Sequence, residues 1–378
     1  MKYFFVVGEA SGDVHAAAVM QALKVQDPDA SFAYMGGPKM RAEGGECILR
    51  AEEMAFMGIV DVLKNLKTIQ AGAKQVQQGL LRFRPDVVVC VDYGSFCFKY
   101  ILPFVRKNLP HSKLTYYIPP KVWAWKKGRI KRLRSHTDQV LTIFPFEVPY
   151  FSKHNLPQAK YVGNPTAESI QKYLLEHPNP NPDYPTKYIA ILCGSRHSEI
   201  VHNLPTMLRV ANNFPDHEIV IAMAPGLEQH LYEQILFAEG YEQDSQKRIH
   251  LISGDTFGVV RQANAALVTS GTATLETALL GCPQVVCYAV RGGGLANFVF
   301  DHFFSVPYIS LVNLIGEEEI VPEMYGGLFD AEKIWSALAP LLYDSPQRQK
   351  MLEGYTKVAQ RLHTSLPTAQ FVAHSLRE

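Results

Sequence analysis

No stretch of this chain is apolar for anything near the ~18 residues a membrane-spanning helix needs. The apolar start Tyr3-Phe4-Phe5-Val6-Val7 breaks at Gly8-Glu9, short of the roughly 7 to 15 residues of a secretory signal core. A cytoplasmic protein is therefore expected. An excess of one charge is missing too: 37 Lys and Arg against 36 Asp and Glu leave a net +1, which sets up no global field toward nucleic acid. The six cysteines, Cys47, Cys90, Cys97, Cys193, Cys282 and Cys287, form no CxxC pair and lie mostly in apolar runs. That usage excludes a disulfide framework and a zinc site of ordinary spacing. The 13 histidines show no HExxH. Neither GxGxxG nor GxxxxGK[ST] occurs, against an ordinary dinucleotide or ATP site.

What is present is 378 residues, 47% of them hydrophobic, enough for two domains with their own cores. Short β-branched runs alternate with longer helical periods, the pattern of βαβ units on a parallel sheet. Strands are predicted at Tyr3–Val7, Ser31–Met35, Asp86–Asp92, Lys113–Tyr117 and Gln139–Phe144. The segment 164–185 then carries five prolines, a linker, and the alternation restarts at Lys187–Leu192, Glu218–Met223, Arg248–Ile252, Ala266–Thr269 and Gln284–Ala289. Helices follow near 330–343, 346–362 and 367–376. The expected organisation is α/β, with a domain over 1–164, a second over 165–345, and closing helices over 346–378 packing back on an N-terminal domain. Two doubly wound halves would face a central cleft, with ligands beyond the carboxyl ends of the strands.

Three strand-to-helix turns share one chemistry: Gly8-Glu9-Ala10-Ser11-Gly12-Asp13, Gly194-Ser195-Arg196 and Ser270-Gly271-Thr272. Each combines glycine, which lets backbone approach a ligand, with a hydroxyl at a helix start, where free N–H groups favour negative charge. Arg196 adds a guanidinium able to grip phosphate. Any one of these turns could equally be a helix cap. Glu276, one turn into the helix after Thr272, suits a ribose or a solvated helix face. Asp92 ends an apolar strand, where a carboxylate serves either as a general base or as a cap for the next helix. Lys121–Arg134 packs seven cations into fourteen residues around Trp123 and Trp125, and Met54–Leu63 is apolar nearly all round.

In order along the chain, GEASGD after the first strand, MAFMGIVDVL, VWAWKKGRI, GSR at 194–196, SGTATLE at 270–276 and SLVNLI at 310–315 closely resemble the lipid-A-disaccharide synthases. The resemblance implies a GT-B glycosyltransferase of two Rossmann-like domains, inverting, with no metal and no cofactor. It implies transfer from UDP-2,3-diacylglucosamine to 2,3-diacylglucosamine 1-phosphate, lipid X, through a β-1,6 linkage. On that reading Asp92 is the base and Arg196 steadies the leaving diphosphate. Gly194, Ser195, Ser270, Gly271 and Thr272 contact the UDP-sugar, Glu276 the ribose and Asn313 the sugar, while Glu9, Ser11, Gly12 and Asp13 face the substrates. It also implies peripheral contact with the inner face of the inner membrane, through Lys126–Arg134 and an acyl groove near 54–63, and a homodimer. The chain departs from the family's usual pattern at Cys193, where proline is common, and at Asn164, where histidine is. Asp92-Tyr93-Gly94-Ser95-Phe96 stands in place of Asp-x-Pro-Asp-Phe. A UDP-GlcNAc 2-epimerase or other GT-B UDP-sugar enzyme shares the UDP loops, and a non-catalytic glycolipid-binding protein shares the apolar features.

Overall fold

The computed structural model describes residues 1–54, 65–122, 128–241, 248–289 and 307–378. The apolar stretch at 55–63 and the Trp123, Trp125, Lys126 and Lys127 part of the basic stretch lie outside the described residues. Contacts divide the chain into two compact units, Met1–Pro165 with His363–Glu378, and Thr166–Leu362.

The first unit is built on a parallel sheet of β1 (Lys2–Val7), β2 (Ser31–Gly36), β3 (Glu46–Arg50), β4 (Val87–Val91), β5 (Lys113–Tyr117), β6 (Gln139–Thr142) and β7 (Ala159–Tyr161), in the order β3-β2-β1-β4-β5-β6-β7. Its central strands are continuous apolar runs because both faces are covered. Phe4, Val6, Val88 and Cys90 join one core. Their neighbours Phe5, Val7, Val89 and Val91 join another on the opposite face. The second core also takes Ala16, Val19, Met20 and Leu23 of α1 (Ala10–Gln26). Small α2 (Pro38–Ala42) follows β2, α3 (Leu66–Phe83) precedes β4, and α4 (Gly128–His136) precedes β6.

The second unit has β8 (Tyr188–Leu192), β9 (Glu218–Met223), β10 (Ile249–Ser253), β11 (Ala265–Thr269), β12 (Gln284–Tyr288) and β13 (Glu323–Tyr325), all parallel, in the order β10-β9-β8-β11-β12-β13. The helices α5 (His197–Asn212), α6 (Thr272–Leu279) and α7 (Leu311–Gly316) start at its loops, and α8 (Pro346–Leu362) closes it. After α8 the chain returns to the first unit, where α9 (Thr368–Arg377) packs on α1 through Val372, Ala373 and Leu376.

Candidate active site

Each sheet has one place where the connections leaving neighbouring strands run to opposite sides, and there the loops at the carboxyl ends splay apart to leave room for a ligand. In the first unit that place is between β1 and β4, so the Gly8–Asp13 turn and the Asp92–Ser95 turn are side by side. In the second it is between β8 and β11, which pairs the Gly194–Arg196 turn with the Ser270–Thr272 turn. The loops singled out by their chemistry thus occupy both switch points.

The turn after β4 is strained, with φ of 47° at Asp92 and 23° at Tyr93. Few residues besides Gly, Asn and Asp adopt such backbone readily, so the surrounding structure must impose it. The Asp92 N–H donates to Tyr117 O at 3.2 Å, and the Tyr116 hydroxyl donates to Asp92 O at 3.2 Å. The Tyr93 ring stacks on Phe96 with centroids 5.1 Å apart, and its hydroxyl donates to Met54 O at 3.1 Å. The same ring lies on Gly8, where any Cβ would come within 2.3 Å of it. This locking fixes the backbone that carries the half-buried Asp92 carboxyl. Burial first, and then the charge of Glu9, push its pKa up to about 6, against the pull of Lys121. Glu9 and Ser11 are exposed at the start of α1.

Gly12 and Asp13, which the sequence reading also placed toward the substrates, have structural contacts of their own. Asp13 is 2% exposed, and its carboxylate accepts from the N–H groups of Gly37 at 2.9 Å, Lys39 at 2.8 Å and Met40 at 3.1 Å. It caps α2, whose own N-cap is a glycine without a side-chain acceptor. Gly12 is buried under Val7, where a Cβ would stand 2.9 Å from Cγ1, so it serves the close approach of α1 to the sheet.

In the second unit, Gly194 has φ of 124°, and a Cβ there would strike the Cβ of Glu199 at 2.5 Å. Glu199 completes a capping box at the start of α5. Its Oε2 accepts from Ser195 N at 2.9 Å and Arg196 N at 3.3 Å, and its Oε1 lies 3.2 Å from the exposed Arg196 guanidinium. A carboxylate of the chain itself therefore sits on the backbone donors that the sequence reading reserved for phosphate. The other loop is open: Thr272 is exposed at the start of α6, nothing among the described residues lies within 4 Å of where a Gly271 Cβ would be, and Ser270 Oγ donates to Ile309 O at 3.0 Å. One turn on, burial raises the pKa of the half-buried Glu276.

Asn313, which the resemblance places at the sugar, is engaged by its own chain. It is fully buried, its Nδ2 donates to Val321 O and Glu323 Oε1, both at 2.9 Å, and its Oδ1 accepts from Ile320 N at 2.8 Å and Val321 N at 2.9 Å. With each polar position of its side chain used, it anchors the 320–323 loop. Glu323 in turn accepts from Ile309 N and Ser310 N at 2.9 Å each.

Sequence reasoning missed Glu199, Glu323 and above all Asn203. Buried to 1%, Asn203 donates to Cys193 O at 3.1 Å and Thr269 Oγ1 at 3.0 Å, and accepts from Ala289 N at 2.9 Å. It joins the ends of β8, β11 and β12. The signal was in the sequence: an amide on the face of α5 that carries Ile200, Leu204 and Met207, where the helical period demands an apolar residue. Among the described residues no group of three or more His, Cys, Asp or Glu side chains could hold a metal ion, and no helix is long and apolar enough to cross a membrane.

Two parallel α/β units of this strand order make up the GT-B fold, a class shared by glycosyltransferases and epimerases. Solved structures of that class overlay the whole chain. The UDP-GlcNAc 2-epimerase of Neisseria meningitidis bound to UDP-GlcNAc matches with a TM-score of 0.64 at 13% identity over 100% of both chains. The calicheamicin glycosyltransferase CalG4 matches with 0.60 at 14% identity over 100% of this chain and 97% of its own. At those identities the likeness speaks for fold alone. Family is settled by sequence: the lipid-A-disaccharide synthetase family model matches residues 3–373. The lipid-A-disaccharide synthase of Idiomarina loihiensis is 34% identical over 96% of this chain and 95% of its own length. That of Acidobacterium capsulatum is 32% identical over 96% and 92%. The chain belongs to the lipid-A-disaccharide synthase family, a family of glycosyltransferase enzymes.

Proposed function

We propose that the chain joins UDP-2,3-diacylglucosamine to the 6-hydroxyl of 2,3-diacylglucosamine 1-phosphate, forming a β-1,6-linked disaccharide 1-phosphate and UDP. The Asp92 carboxylate takes the proton of the acceptor hydroxyl as its oxygen bonds to the anomeric carbon of the donor. The bond from that carbon to the diphosphate breaks with its electron pair going to UDP, through an oxocarbenium-like state and with inversion. In the second unit, Arg196 and the helix starts at Ser195 and Thr272 stabilise the charge that develops on the diphosphate, and Glu276 takes the ribose hydroxyls. Exposed Glu9 and Ser11 face the acceptor sugar.

The observation that carries this reading is the Asp92 carboxyl itself, held in strained backbone at a switch point with a pKa near 6, in a chain of this family. A base of that pKa is mostly ionised at neutral pH yet retains more proton affinity than an ordinary aspartate. The test is UDP release by the full chain with both acylated sugars present. Release that requires both acylated sugars supports the reading. Equal turnover of UDP-GlcNAc without acyl chains would replace it with the epimerase-like alternative.

We infer further that α4 meets an anionic membrane surface. Ile130 and Leu133 are buried, Lys131, Arg132 and Arg134 are exposed, and the helix carries no acid. Binding to vesicles containing anionic lipid should weaken with salt and with Lys131→Gln plus Arg134→Gln. Salt-insensitive binding would refute it.

A further inference from the structure

Arg129 does not belong to the outward face of α4. Its Nη2 donates to Ser95 Oγ at 3.1 Å, and its guanidinium lies over the Phe98 ring, 5.2 Å from the centroid. Its Nη1 is 2.9 Å from where a Cβ on Gly94 would stand, and Pro120 Cγ is 2.6 Å from the same point. Gly94 is therefore the floor on which two segments meet, one carrying Arg129 and the other carrying Lys121 next to Pro120. Both arrive two residues past Asp92.

Arg129 is not paired with a carboxylate among the described residues. Arg41, Arg82, Arg106, Arg209 and Arg361 each pair with a carboxylate. The contacts of Arg129 among the described residues are a hydroxyl and a ring. Half-buried and fixed by these neutral neighbours, the guanidinium keeps its fork of donors for a planar or tetrahedral anion. Lys121 reaches solvent but stands over dense protein, where its ammonium feels Asp92 and Glu147. The residue of that turn which Arg129 contacts is the neutral Ser95, and the carboxylate on it, Asp92, lies three residues earlier.

We infer that Arg129, packed on Gly94 two residues past Asp92, forms with Lys121, which follows Pro120 on the neighbouring segment, a subsite for the phosphate of the acceptor sugar. The inference rests on the proposed transfer reaction, and it adds a reason for the acceptor to carry a phosphomonoester: the phosphate fixes the sugar while its hydroxyl is offered to Asp92. The same cations could instead hold the diphosphate of the donor, and the kinetic arms separate the two sources.

The experiment measures KM for donor, for phosphorylated acceptor and for its dephosphorylated analogue, in the wild type, Arg129→Met, Arg129→Lys and Lys121→Met. Wild type should prefer the phosphorylated acceptor. Arg129→Met should raise its KM by about tenfold to a hundredfold, the weight of a charge-assisted contact, and bring the two acceptors close to parity. Lys121→Met should act in the same direction and Arg129→Lys should restore part of the preference. Donor KM should stay within about twofold throughout. A wild type indifferent to the phosphate, a preference that survives both Met variants, or a rise confined to donor KM would overturn the subsite. No transfer by the wild type to either acceptor would instead overturn the reaction on which it rests. Lys121, on a loop, keeps the test decisive should Arg129→Met fail to fold.

Discussion

Asp92→Asn should remove turnover and at the same time stabilise the fold. The carboxyl has a pKa of about 6 in the folded chain against 3.8 for an unperturbed aspartate. A carboxyl of that pKa is about 91% ionised at pH 7 and about 9% at pH 5, so kcat/KM should fall about tenfold between them. An unperturbed aspartate would lose less than about a tenth of its ionised form over the same range. The linkage sign follows from the raised value. Below pH 3.8 the group is protonated in both folded and unfolded chains and carries no penalty. As pH rises from 3.8 to about 6 the unfolded chain ionises first, so stability falls, and above 6 the penalty is complete. The full shift corresponds to about 3 kcal/mol, and partial solvent access reduces this to about 1–2 kcal/mol. Asparagine keeps the shape, tolerates the positive φ and never ionises. At pH 7 the variant should unfold about 2–6 °C above wild type, and below pH 4 the two should coincide. Thermal unfolding across pH, beside UDP release, is the assay. An acid limb near pH 4, or a variant that unfolds no later than wild type at pH 7, would refute the reasoning.

Other outcomes follow from neighbouring contacts. Glu9→Gln removes a like charge and should move the acid limb of kcat/KM to lower pH, whereas Lys121→Met should move it to higher pH; shifts in the same direction would contradict the electrostatics. Glu199→Gln weakens the carboxylate that occupies the Ser195 and Arg196 N–H groups, so UDP titrated calorimetrically should bind about three- to tenfold more tightly, and weaker binding would count against a diphosphate site at that loop. Asn313→Ala should cost about 2–4 kcal/mol in chemical unfolding by leaving buried N–H and carboxylate groups unpaired. Retained stability with a specific loss of donor affinity would return Asn313 to the sugar.

The fold was legible where burial dictates composition. Val87–Val91 and Glu218–Met223 are covered on both faces, so their runs are apolar and β-branched and stand out. The edge strands β3, β7 and β13 escaped because they are short and half-exposed, and their residues carry no single period. Glycine and hydroxyl chemistry located the loops at both switch points, since backbone approach needs those residues wherever the strands end. Side-chain roles were harder to read. Asp13 and Glu9 sit in one turn, yet one cap and one exposed carboxylate are separated only by which helix ends nearby, α2 in this case. That neighbour is 24 residues further along, and no local pattern announces it. Asn313 escaped for the same reason, its partners lying seven to ten residues downstream.

Asn203 ties three strand ends through one amide, and this has a mechanical consequence. Loops anchored to a common post cannot be ordered one at a time, so whatever orders the turn after β8 has already shaped the turn after β11. If the proposed donor site is there, a nucleotide sugar would meet a ready mould and forfeit less freedom on being held, leaving more of its attraction to be spent on the bond that must break.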